Sequence, residues 1–264
     1  MKSSPFFALK NIQGNEIDFH RSRYDGKHFG NHCKRGVYFW GFYLGNNRKC
    51  IPEKPEDIVI YYIGKEQGNV SQRIMQEFTQ FIIGGFGTII HNKWLIEHPF
   101  DADLYNKQES DKTGLLDKDV LYKSYGLHVL HDFYYNSELR PTINWMFERL
   151  IFAWVVDDKN TKAIVTEYEK NLDNKIIEKI KNQVNNDTKK YQEKINNRFL
   201  AHLESELHHI VGRNTFGLGP NPPKNIKDVN DKKKTPLFNS IDWTDNETLK
   251  KWILETNKRQ ITSP

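Results

Sequence analysis

The chain has 264 residues, of which 37% are hydrophobic, 13% aromatic and 28% charged. That is enough to bury one large core or a compact module with an appendage, and the aromatic content argues against a disordered chain. A formal net charge of +5 suits a phosphate polymer as partner, but many ordinary basic enzymes share it, so charge alone assigns nothing.

At the start, the apolar run Phe6 to Ala8 is far too short for a signal-peptide core, and residues 1–33 read as an N-terminal arm. Its stretch 18–35 mixes cationic and His side chains with Gly and Asn, without helical or alternating periodicity. Cys33 and Cys50 are the two cysteines, with no CxxC pair and no ligand-spaced His, which disfavours a disulfide scaffold or a structural zinc site. A cytoplasmic protein is expected, with no membrane partner, because nothing approaches the roughly 18 apolar residues of a spanning helix.

Residues 36–45, GVYFWGFYLG, are rich in aromatic and β-favouring side chains and end in Gly45-Asn46-Asn47, the pattern of a strand entering a turn. After a polar, proline-containing loop, IVIYYIG at 58–64 reads as a buried strand, and the two suggest a hairpin. Asn69 is then placed to cap a helix with Val70, Ile74, Phe78 and Phe81 on its apolar face, ending at Gly84-Gly85. A short element is suggested around Thr88 to Ile96, and a third strand at 120–135. Pro141 opens a predicted helix through Trp154 in which Glu148 is embedded among apolar residues.

From 161 to 211, Lys, Asn and Glu surround apolar positions three and four residues apart, predicting long amphipathic helices interrupted near Asn185-Asn186-Asp187. Residues 213–235 are rich in Gly, Pro and Lys and irregular. A last helix is expected at 245–256, where Thr244 and Glu247 have capping-box spacing.

Cutting a phosphodiester needs an activated water, a cation to stabilise the charge on phosphorus, and a metal to hold the departing oxygen. Tyr38 and Tyr62 on adjacent strands, Arg73 on the following helix and Glu148 are candidates for these parts. Each also has a plainer explanation: strand-core aromatics, an Arg73–Glu77 helix pair, and a carboxylate matched by a cation.

GVY at 36–38 and YIG at 62–64 resemble the two signature tripeptides of the GIY-YIG nuclease family, with Val37 in place of Ile. NVSQR at 69–73 is similar to the family's helix opening with its Arg, and ERLIFAW at 148–154 to its later helix with a Glu. The resemblance covers roughly 34–160. It implies a mixed α/β fold, a small antiparallel sheet flanked by helices at 34–158, followed by a helical region at 159–264 for DNA recognition or dimerisation.

The implied chemistry has Tyr38 activating water, Tyr62 orienting water or phosphate, Arg73 stabilising the pentacovalent phosphorus, and Glu148 binding one Mg²⁺, with Mn²⁺ as a substitute. Since a phenol with a pKa near 10 is a poor base at neutral pH, a cation should favour the phenolate, and Lys65 is the nearest in sequence. Two departures stand out: Glu77 occupies the place where many members have His or Tyr, and the loop between the tripeptides is longer than in compact members. The long loop resembles the restriction-endonuclease branch, which implies sequence-specific cleavage of double-stranded DNA. His91, His128 and His131 are other candidates to assist the base, and Arg213 and Asn214 candidates to contact DNA. The long helices offer a seam for a homodimer. The alternatives are a homing or repair-type GIY-YIG endonuclease and a non-catalytic nucleic-acid-binding protein on the same scaffold.

Overall fold

The computed structural model describes residues 1–8, 34–82, 88–90, 121–123, 147–185, 187–211 and 237–261. Its centre is an antiparallel sheet of β1 (Lys2–Ser3), β2 (Phe7–Ala8), β3 (Gly36–Tyr43), β4 (Ile58–Glu66) and β7 (Leu150–Val156). β3 lies between β4 and β7, and both short N-terminal strands pair with the outer side of β7. A separate two-stranded ladder joins β5 (Thr88–Ile90) to β6 (Leu121–Lys123). The helices are α1 (Val70–Ile82), α2 (Thr161–Lys170), α3 (Asn174–Gln183), α4 (Thr188–Val211) and α5 (Glu247–Ile261). The fold is thus mixed α/β with a small antiparallel sheet.

Both faces of the sheet are covered, which explains strands that read as unbroken apolar runs. Val37, Phe39, Ile58, Ile60, Ile63, Ile151, Ala153 and Val155 share one core cluster with Phe199, Leu203 and Leu207 of α4 and with Leu249, Trp252 and Ile253 of α5. The helical region therefore packs on the sheet instead of standing apart. On the other face lie Tyr38, Trp40, Phe152 and Trp154, all buried, with Phe7 stacked on Trp154 at a ring separation of 4.7 Å.

A β-bulge decides which face carries Tyr62. Trp40 pairs with Tyr62 but Gly41 pairs with Ile60, so Tyr61 is the extra residue. With strict alternation Tyr62 would share a face with Ile58 and Ile60; the inserted residue turns it to the side of Trp40 and Tyr38.

Several expectations hold and others are corrected. Asn69 caps α1, accepting from the Gln72 amide at 3.2 Å. The interruption near 185 is present, with Asn185 at φ 49° and Asp187 accepting from the Lys190 amide at 3.1 Å. A second break falls at 171–173, where Asp173 caps α3 through the Lys175 amide at 2.8 Å. The predicted helix through Trp154 is wrong over its second half: residues 147–149 are helical, but Leu150–Val156 is a strand of the main sheet, paired with β3. Apolar residues at helical spacing inside a continuous apolar run fit a doubly buried strand equally well. Of the strand expected at 120–135, Leu121–Lys123 is extended, and the rest lies outside the described residues.

Part of the expected N-terminal arm is sheet, since Lys2 pairs with Val156 and Phe7 with Phe152. Thr244 does not cap α5; it bonds to Asp242, and Asn246 takes the cap position, accepting from the Leu249 amide at 3.0 Å. No described helix is long and apolar enough to cross a membrane.

Candidate active site

The two tripeptides face one another across the β3–β4 ladder, where Tyr38 pairs with Gly64. A Cβ on Gly64 would fall 2.5 Å from the Tyr38 hydroxyl oxygen and 2.8 Å from Cε1 of Tyr62, so only glycine lets both rings lie over this point. The ring centroids of Tyr38 and Tyr62 are 5.9 Å apart.

α1 crosses above them and supplies Arg73 and Glu77, one turn apart and on one helix face. The Tyr38 hydroxyl donates to Glu77 Oε1, Trp40 Nε1–H donates to Oε2 at 3.1 Å, and Arg73 Nε–H donates to Oε1 at 3.0 Å. Arg73 Nε also lies 3.4 Å from the Tyr38 oxygen. Glu77 is fully buried, whereas the Arg73 side chain is 35% exposed and connects the cluster to the surface. Both Glu77 oxygens are occupied, which is the condition for burying a charge.

Burial, followed by the charge of Glu77 and the neighbouring Tyr62, pushes the Tyr38 hydroxyl well above its ordinary value, and the Arg73 contact opposes this only in part. Burial also raises Glu77, against the lowering effect of its bonds to Tyr38, Arg73 and Trp40. Tyr62 is raised by burial and by Glu77, with a smaller push from Glu204. Tyr38 is therefore held as a neutral phenol donating to a carboxylate.

Lys65, expected to favour the Tyr38 phenolate, is turned elsewhere. Its register partner is Val37, so strand alternation puts it on the face opposite Tyr38, where Nζ bonds to Glu204 Oε2 on α4. Burial raises Glu204 despite that ion pair. One turn further, His208 Nε2 lies 3.1 Å from the Ile63 carbonyl, and burial lowers its pKa.

Glu148 does not join the cluster. Tyr38 pairs with Trp154 and Phe42 with Leu150, so four residues of strand, about 13 Å, separate Tyr38 from the end of β7 beyond which Glu148 lies. Its side chain is exposed, and its carbonyl accepts from Cys50 Sγ at 3.6 Å. The following residue, Arg149, holds the hairpin loop through Gly45 O at 2.6 Å. The expectation rested on a helix continuing through Trp154, whereas Glu148 sits in a helical turn that gives way to strand at Leu150.

Arg213, Asn214, His91, His128 and His131 lie outside the described residues. Sequence reading passed over Trp40 and Glu204. A Trp two residues after the first tripeptide's Tyr lies on the same strand face, a signal present in the spacing, whereas the spacing around Glu204 does not show its pairing with Lys65. Among the described residues, no group of three or more His, Cys, Asp or Glu side chains is arranged to hold a metal ion. No family model, curated protein or solved structure matched the chain.

Proposed function

We propose that this chain is a GIY-YIG-like DNA endonuclease that hydrolyses phosphodiester bonds at the cluster of Tyr38, Tyr62, Arg73 and Glu77. The observation that carries the reading is the convergence of the two tripeptide phenols with the helical arginine, with Arg73 Nε 3.4 Å from the Tyr38 oxygen. These groups are far apart along the chain, and the bulge at Trp40/Gly41 brings Tyr62 to the face that carries Tyr38.

In this reading Arg73, the exposed member, binds a non-bridging phosphate oxygen and offsets the charge gained at phosphorus. Tyr38 receives the proton of the attacking water, and Tyr62 orients water or phosphate. Double-stranded DNA cut at a specific sequence, as by a type II restriction enzyme, is the leading substrate, with the basic segment 213–235 as the candidate reader.

The divalent ion implied by this reading is not matched by a free carboxylate at the cluster among the described residues. Glu148 is remote, Glu77 has both oxygens taken, and Glu204 is paired with Lys65 on the sheet face opposite Tyr38.

The experiment is incubation of the full chain with supercoiled plasmid and Mg²⁺, with and without EDTA, beside Arg73→Ala. Nicked or linear product from the parent, abolished by EDTA and by the substitution, is expected. An intact plasmid, or equal cutting by both proteins, overturns the reading.

A further inference from the structure

In the proposed reaction, a phenol that has to act as a base is hydrogen-bonded as a donor to a carboxylate. From this geometry we infer that Glu77 is the terminal proton acceptor of a two-step relay, positioned by Trp40 and Arg73, so that Tyr38 never has to exist as a free phenolate. The inference rests on the nuclease reading and concerns the position where this sequence departs from the resemblance.

Three contacts carry it. The Tyr38 O–H points at Glu77 Oε1 and not at solvent. Oε2 is fixed by Trp40 Nε1–H at 3.1 Å, so the carboxylate cannot rotate away, and Arg73 Nε–H fixes Oε1 at 3.0 Å. Glu77 itself is fully buried, so a proton reaches it from these neighbours and not from bulk water.

The water oxygen forms a bond to phosphorus while its proton passes to the Tyr38 oxygen; the proton already on Tyr38 passes to Glu77 Oε1. The bond from phosphorus to the 3′ oxygen breaks, and that oxygen takes a proton from solvent. Glu77 finishes as a neutral carboxylic acid beside a neutral phenol, and it loses its proton by the reverse path before the next turnover. Because the phenol is pushed up by burial and by Glu77, a stepwise phenolate would be scarce at neutral pH, whereas a coupled transfer avoids it.

The titratable and charged groups facing Glu77 are Tyr38 from β3, Arg73 from α1 and Tyr62 from β4. Burial raises the Glu77 carboxyl, so it should bind its proton over a range above that of an ordinary carboxylate, and the cleavage rate should rise with pH through that range.

The test is the single-turnover rate of plasmid cleavage with Mg²⁺ as a function of pH, for the full chain and its Glu77→Gln and Glu77→Asp variants, with DNA binding measured by gel shift. Glu77→Gln keeps one acceptor oxygen, which can serve Tyr38 or Trp40 but not both, and takes no proton. Its rate should fall by roughly 10² to 10⁴, with binding changed less than threefold and the acid limb of the profile gone. Glu77→Asp should restore part of the rate together with an acid limb, and it carries the test if the Gln variant does not fold. A parent that cuts and a Glu77→Gln protein that cuts at a similar rate with the same limb overturn the relay but leave the nuclease reading standing. A parent that never cuts overturns both.

Discussion

Replacing Trp40 by Phe isolates the bond that holds Glu77 in place. Trp40 is 2% exposed and donates to Glu77 Oε2 at 3.1 Å. Losing a hydrogen bond to a buried charge costs about 1.5–3 kcal/mol. The smaller ring leaves unfilled space, at about 0.8 kcal/mol per missing methylene-sized group, so about 1–2 kcal/mol more. The sum is about 2.5–5 kcal/mol, and at about 2–4 °C per kcal/mol for a chain of this size the melting temperature should fall by about 5–20 °C. Thermal unfolding followed by circular dichroism measures it. Repeating the change in a Glu77→Gln background separates the bond from the void: the void term stays, while the bond to a neutral amide is weaker, so the penalty shrinks by about 1–2 kcal/mol. A shift below about 2 °C, or the same shift in both backgrounds, would refute the argument that Trp40 tethers a buried carboxylate.

Three other outcomes follow from the same geometry. Gly64→Ala should cost about 1–3 kcal/mol by overpacking against the two phenols and should lower cleavage more than tenfold, as read by denaturation and plasmid assay. Glu148→Ala should leave stability within about 0.5 kcal/mol and plasmid cleavage unchanged; a loss of cleavage would return the metal to Glu148. Because folding raises the Glu77 carboxyl, it favours the protonated form. The stability this group contributes is therefore present below its unfolded-state value and lost as pH rises through the raised one. Urea unfolding across the acid-to-neutral range should show a decline that is smaller in Glu77→Gln.

The hairpin, α1 with its Asn69 cap and the amphipathic run were legible because each has one dominant period and local punctuation. So were Tyr38, Tyr62 and Arg73 as neighbours, since tripeptides on paired strands followed by a helix leave little geometric freedom. The bulge was not legible: Ile58, Ile60 and Tyr62 alternate in sequence, and only the partner strand shows that Tyr61 is extra. Glu148 misled because LIFAWVV carries apolar residues at both strand and helix spacing, and tertiary pairing with β3 decided between them. Glu204 lay in a segment whose role depends on α4 lying against β4, a contact between residues 139 positions apart for Lys65 and Glu204, which no local pattern encodes.

The central claim is that Tyr38, Arg73 and Glu77 form a centre for phosphodiester cleavage. The single-turnover plasmid cleavage rate of Tyr38→Phe relative to the parent tests it most directly, because the substitution removes one hydroxyl and leaves the ring in place. The account predicts a rate at least about 10² lower with DNA binding intact. A Tyr38→Phe protein that cuts as fast as the parent would contradict it.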